Sequence, residues 1–124
     1  MSYSNPTTIT YRFPAASLVG GAATFGRFVG PNGMKGRLLD IAYVVTTGVT
    51  VAASNILVGQ AGDTDEYGSI SVPVAAANAV GNGMTRGITG ELPADTVVTV
   101  GTGGAATAGA ADVLVTVDWY GGNQ

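Results

Sequence analysis

Apolar and polar residues alternate along most of this chain, and a period of two suits a half-buried β-strand rather than a helix. In residues 8–13, Ile9, Tyr11 and Phe13 share one face, and Thr8, Thr10 and Arg12 the other. Over residues 36–47 the same reading groups Leu39, Ile41, Tyr43 and Val45 against Leu38, Asp40, Ala42, Val44 and Thr46. Residues 112–120 place Val113, Val115, Val117 and Trp119 toward a core, with Thr116 and Asp118 facing out. Shorter strands are expected over residues 25–29, 55–59, 69–74 and 96–100. Turn chemistry punctuates them, as in Gly30-Pro31-Asn32-Gly33, and Pro14 must stop the first strand or confine it to an edge. Residues 75–80 and 105–111 lack strand character. Neither offers three glycine-free turns, and isolated helices shorter than about 12 residues are marginal, so both are read as loops.

Seven or eight short strands in one domain mean an all-β sandwich or barrel, and a jelly-roll-like antiparallel β-sandwich is the expected form. The division is an N-terminal arm (residues 1–6), a sandwich domain (7–120) and a short tail (121–124). Ile9, Tyr11, Leu39, Ile41, Tyr43, Val113, Val115, Val117 and Trp119 are the expected core.

Composition then narrows the chemistry. The 124 residues include 16 valines and 15 threonines, which sit well on pleated surfaces, and only 10% are charged. Ordinary soluble domains carry about 25%. So few charges leave the polar surface to Thr, Ser, Asn and Gly, and imply that much of it faces other protein. There is no cysteine, which removes disulfides, zinc–thiolate sites and thiol nucleophiles. There is no histidine, which removes the serine triad, imidazole ligands and the usual acid–base group. A net charge of −3 is poorly suited to gripping nucleic-acid phosphates. Residues 41–62 carry no charge and are long enough to span a bilayer, but Thr46, Thr47, Gly48, Thr50, Ser54, Asn55, Gly59 and Gln60 make them two strands and a turn. The start of the sequence lacks the basic segment and apolar run of a signal peptide, so folding in a cytoplasm is expected.

Candidate motifs were tested against the chemistry they require. Asp63-Thr64-Asp65-Glu66-Tyr67-Gly68 fails as an EF-hand, because the fifth position is Tyr67 and the twelfth Val74; an irregular hard-cation site between Asp63, Asp65 and Glu66 is the alternative, and a solvated turn the better reading. Gly101-Thr102-Gly103-Gly104-Ala105-Ala106 has a dinucleotide-loop spacing but no room for a crossover helix before the strand at Asp112, and is read as a flexible loop. Asp40, Glu91, Asp95, Asp112 and Asp118 could pair for glycoside hydrolysis, yet the aromatic residues of a sugar cleft are sparse. They are read as outward strand acids that discourage edge-to-edge pairing. Lys35 and Arg37 are read as anchors for a salt bridge or an acidic partner surface. No catalytic, cofactor-binding or metal-binding residue is expected.

Gly36-Arg37-Leu38-Leu39-Asp40-Ile41-Ala42, Ile56-Leu57-Val58-Gly59 and Gly62-Asp63-Thr64-Asp65-Glu66-Tyr67-Gly68 occur in that order. Leu92-Pro93-Ala94-Asp95-Thr96-Val97-Val98 and a closing Val115-Thr116-Val117-Asp118-Trp119-Tyr120 follow. Over roughly residues 36–120 this succession resembles the small β-rich virion proteins of tailed bacteriophages, including capsid decoration (cement) proteins with a jelly-roll fold. The resemblance implies a non-enzymatic structural protein, made in the bacterial host cytoplasm and carried on the capsid exterior. Its partners would be the major capsid protein and itself, as a homodimer or homotrimer, with neither nucleic acid nor membrane. The alternatives are another virion part, such as a head-fibre base or tail protein, and a soluble carbohydrate-binding β-sandwich. Tyr3, Phe25, Phe28 and Tyr120 are the aromatic candidates for a protein interface, having no firm core assignment. Asn5 joins them because Pro6 restrains it to extended conformations, as an arm laid along a neighbour would require.

Overall fold

The two-residue period becomes backbone geometry in the computed structural model of the chain, which describes residues 7–19, 23–87 and 90–121. Nine β-strands and no helix occur among these residues: β1 Thr7–Ser17, β2 Ala23–Phe28, β3 Met34–Thr50, β4 Ser54–Gln60, β5 Asp63–Val72, β6 Val80–Gly81, β7 Thr85–Arg86, β8 Val98–Gly104 and β9 Ala108–Gly121. They form a four-stranded sheet ordered β1-β9-β3-β6 and a five-stranded sheet ordered β2-β8-β4-β5-β7. All pairings are antiparallel, and their nesting defines the fold: β4 with β5, β3 with β6, β2 with β8, β1 with β9. The chain thus runs out through four strands and returns alongside them, and this long hairpin is rolled into two facing sheets. That is a jelly roll.

The core lies where the alternation placed it on β9, whose Val113, Val115 and Val117 are inaccessible and whose Trp119 is nearly so. Ile41, Tyr43 and Val45 lie beside them on the same inner face from β3, and Ile56, Val58, Val98 and Val100 face them from the opposite sheet. Ile9 and Tyr11, expected inside, are half-buried against the same cluster because β1 is an edge strand. Trp119 lies over two glycines: a Cβ on Gly30 or Gly36 would fall 2.4 or 2.6 Å from the indole. Its Nε1–H donates to the Tyr11 hydroxyl at 3.0 Å, which satisfies the one polar atom of the ring.

Three sequence expectations are corrected. Leu39 is 43% exposed and Leu38 only 1%, the reverse of the expected faces. Leu38 pairs with Val117 and Asp40 with Thr116, so Leu39 is the extra residue of a β-bulge, and every side chain before it changes face. Residues 101–104 are not a flexible loop but the second half of β8, where Gly101 and Thr102 are buried between β2 and β4. Backbone pairing on both sides outweighs the weak strand preference of glycine there. Residues 108–111 likewise open β9 rather than extending a loop. Pro14, expected to stop the first strand or confine it to an edge, does the second: it sits on the edge strand at a bulge between Phe13 and Ala16, where no ladder bond is needed from its nitrogen.

Candidate functional site

The acidic side chains, the natural place to seek chemistry, are engaged in holding the backbone. Asp112 accepts from the Ala15 N–H at 2.8 Å, Asp95 from Gly33 at 2.9 Å and Asp40 from Gly83 at 2.8 Å. Each of those donors has a positive φ (50°, 76° and 92°), where the chain leaves its ladder and a backbone N–H needs a partner. Asp112 also pairs with Arg12 at 3.1 Å; the Ala15 N–H and then the guanidinium hold its carboxyl below the usual carboxylate range. Asp118 accepts from the Thr8 hydroxyl at 3.4 Å. These carboxylates were expected only to face outward from strands; Asp40, Asp95 and Asp112 are also ligands for left-handed or irregular backbone.

Asp63 and Asp65 open β5 rather than forming a separate turn. A hydrogen bond with the Asp65 carboxyl, ahead of desolvation and repulsion, raises the pKa of Asp63. Among the described residues no three acidic, histidine or cysteine side chains group as metal ligands.

The aromatic interface candidates are dispersed. Phe28 is a core residue, stacked on Tyr11 at 4.1 Å between centroids and edge-on to Trp119 at 6.4 Å. Phe25 is half-buried and meets Phe13 edge-on at 5.9 Å, closing the sandwich between β1 and β2. Tyr120 is on the other sheet, its ring partly exposed. Tyr3 and Asn5 lie outside the described residues. No open aromatic patch is assembled from the described three.

Tyr120 belongs instead to a small polar cluster. Its hydroxyl donates to Glu91 at 2.5 Å, and Lys35 approaches the same carboxylate at 3.9 Å, the ion pair expected of that lysine. Glu91 is held there because Leu92, fully buried, exchanges backbone bonds with Gly36 at 2.7 and 3.0 Å. The hydrogen bond to Glu91, then desolvation, pushes the Tyr120 pKa up from 10.0 to about 12. The folded chain therefore keeps this proton where the unfolded chain has lost it. The contribution is complete below pH 10.0 and disappears as pH rises toward about 12. Tyr120→Phe is expected to make the alkaline loss of stability shallower, without abolishing it, because burial raises Tyr11 and Tyr67 as well. Urea midpoints at about pH 9 and about pH 11 measure this, and equal slopes in both proteins would refute it.

The open apolar surface is elsewhere. Val51, Val74 and Val19 are 78%, 56% and 45% exposed, at or beside the connections following β3, β5 and β1; Val80 is exposed on β6, and Val29 and Val97 near the opposite end. The signal was present in the sequence, because residues 13–26, 41–62, 67–85 and 96–111 contain no charged residue. Strand topology was needed to show that these four runs supply the connections at one end of the sandwich.

No family model matches the chain, and no curated protein matches it in sequence. Its backbone is similar to that of several solved structures. One is a chain from the capsid of Ralstonia phage GP4, at 16% identity and a TM-score of 0.51, covering 99% of this chain and 88% of that one. A second comes from the disulfide-linked pili of Bacillus endospore appendages, at 13% identity and 0.51, covering 98% and 92%. A third is from infectious bursal disease virus, Gx strain, at 12% identity and 0.52, where this chain spans 34% of the other. At these identities the likeness is one of fold.

Proposed function

We propose that the chain is a non-enzymatic structural protein of a bacteriophage virion. It binds the capsid exterior and stabilises contacts between major capsid protein subunits, acting as a homodimer or homotrimer made in the host cytoplasm. The observation that carries this reading is the use of the ionisable side chains. Asp40, Asp95, Asp112 and Glu91 fasten turns, bulges and a neighbouring tyrosine rather than converging on a cleft. A protein built this way offers shape and surface, not reaction chemistry. Support also comes from the succession of motifs over residues 36–120 and from the likeness in fold to a chain of the GP4 capsid. The likeness to the endospore pilus chain favours a structural role equally, but a disulfide-linked assembly is closed to a chain without cysteine.

The test is co-sedimentation with empty capsids assembled from the major capsid protein encoded nearest this gene. Saturable pelleting with capsids is the expected result. A chain that stays in the supernatant, or that binds a glycan array instead, overturns the capsid reading in favour of another virion part or a carbohydrate-binding sandwich.

A further inference from the structure

The connections at one end of the sandwich are bound together mainly by backbone hydrogen bonds, with a Thr50–Thr107 hydroxyl contact at 3.3 Å beside them. The Leu18 N–H donates to the Gly109 carbonyl at 2.9 Å, and Val49 and Ala75 exchange bonds at 2.9 and 3.2 Å. Thr107 donates to Thr50 at 3.2 Å and Ala105 to Ala53 at 3.4 Å. Every one of these residues lies in a charge-free run. Beyond this frame project Val19, Val51 and Val74. Val51 has φ 74°, a left-handed conformation that a β-branched side chain strongly disfavours, and it is the most exposed of the large apolar side chains. Four charges lie about one strand's half-length below this end: Arg12 and Asp112, which neutralise each other at 3.1 Å, Arg86, which donates to the Leu38 carbonyl, and Arg27 on β2. At the opposite end lie Lys35, Asp63, Asp65, Glu91 and Asp95.

We propose that the charge-free end is a self-interface, at which two copies of the chain meet end to end about a two-fold axis through Val19, Val51 and Val74. The distribution of charge selects the occupant. A partner with carboxylates or ammonium groups over its footprint would bury them unpaired, which is strongly unfavourable. Head-to-tail stacking would do this, since it sets the charged end of one copy on the charge-free end of the next. The same end of a second copy is matched, being uncharged and valine-tipped, and a two-fold axis makes the contact self-complementary and closed. The inference deepens the self-association within the proposed function and rests on that part alone, not on capsid binding.

Sedimentation equilibrium of the full chain, alongside its thermal unfolding, tests this. Wild type is expected to be a dimer. V51D/V74D is expected to weaken association by at least about tenfold, because each copy would set its carboxylates against those of the other. Its melting temperature should be unchanged, since both sites are exposed and aspartate tolerates the left-handed conformation at position 51. Val29→Asp, at an exposed position at the opposite end, should leave the dimer intact. If the double variant melts lower than wild type, Val74→Asp alone gives the reading. A wild-type monomer, a V74D chain that associates like wild type, or a Val29→Asp chain disrupted as strongly as V51D/V74D would each overturn the proposal. Capsid co-sedimentation is scored separately. A dimer that ignores capsids removes the capsid reading only, and a monomer that decorates them removes this inference only.

Discussion

Trp119→Ala is expected to lower the stability of the folded chain by about 3–5 kcal/mol, the range for losing a fully buried large aromatic side chain. The indole is 1% exposed, edge-on to Phe28, and donates to the Tyr11 hydroxyl, so truncation removes packing against two strands and leaves that hydroxyl without its donor. Collapse cannot fill the space cheaply. Its floor is Gly30 and Gly36, which have no side chains to move inward, and Gly36 is fixed between Trp119 and Leu92 by pairing on both sides. The loss is read from the urea midpoint followed by far-ultraviolet circular dichroism, because the variant has no tryptophan to report by fluorescence. A midpoint equal to wild type would mean that the register of β9 against β1 and β3 is wrong.

The second large effect is a contrast between neighbours. Leu38→Ala is expected to cost about 2–5 kcal/mol, whereas Leu39→Thr should cost about 1 kcal/mol or less. Leu38 is sealed inside, and its backbone carbonyl accepts from Arg86 Nη1 at 2.9 Å, tying β7 of one sheet to the bulge of the other. Leu39 is the bulged residue and faces solvent. Matched unfolding curves for the two variants measure the difference directly, and equal losses would remove the bulge.

That pair also marks how far the sequence could be read. Strict alternation makes β9 legible from residue 112 onward, and the Ile41, Tyr43 and Val45 face of β3 follows from the same rule. The same rule fails at Leu38 and Leu39, because a bulge is decided by how two strands fit together, and neither strand alone records it. The left-handed residues Ala15, Val51, Asn78 and Asp95 escape for a similar reason. Their conformations are imposed by the turns that the pairing demands, not by local preference. The carboxylates were visible as residues, but not their acceptor roles, since Asp95 meets Gly33 and Asp112 meets Ala15 across long stretches of chain. Aromatic residues without a core assignment proved a weak guide to surface, because Phe28 fills the space between the sheets. The spacing of charges was the better guide, once the roll had brought the four empty runs to one end.

The nested pairing has a consequence for how this chain reaches its native state. The innermost pair, β4 with β5, is joined by residues 61 and 62 and can close almost at once, as short loops do. The outermost joins Thr8 to Asp118, 110 residues apart, and cannot form until the last strand has left the ribosome. Assembly is therefore ordered from the middle of the sequence outward, and slow by the measure that governs folding speed, the separation along the chain of the residues that must meet. Until that last layer closes, the valine faces of β3 and β8 stand open to other chains, because the first strand is synthesised long before β9, its ladder partner among the described residues, exists.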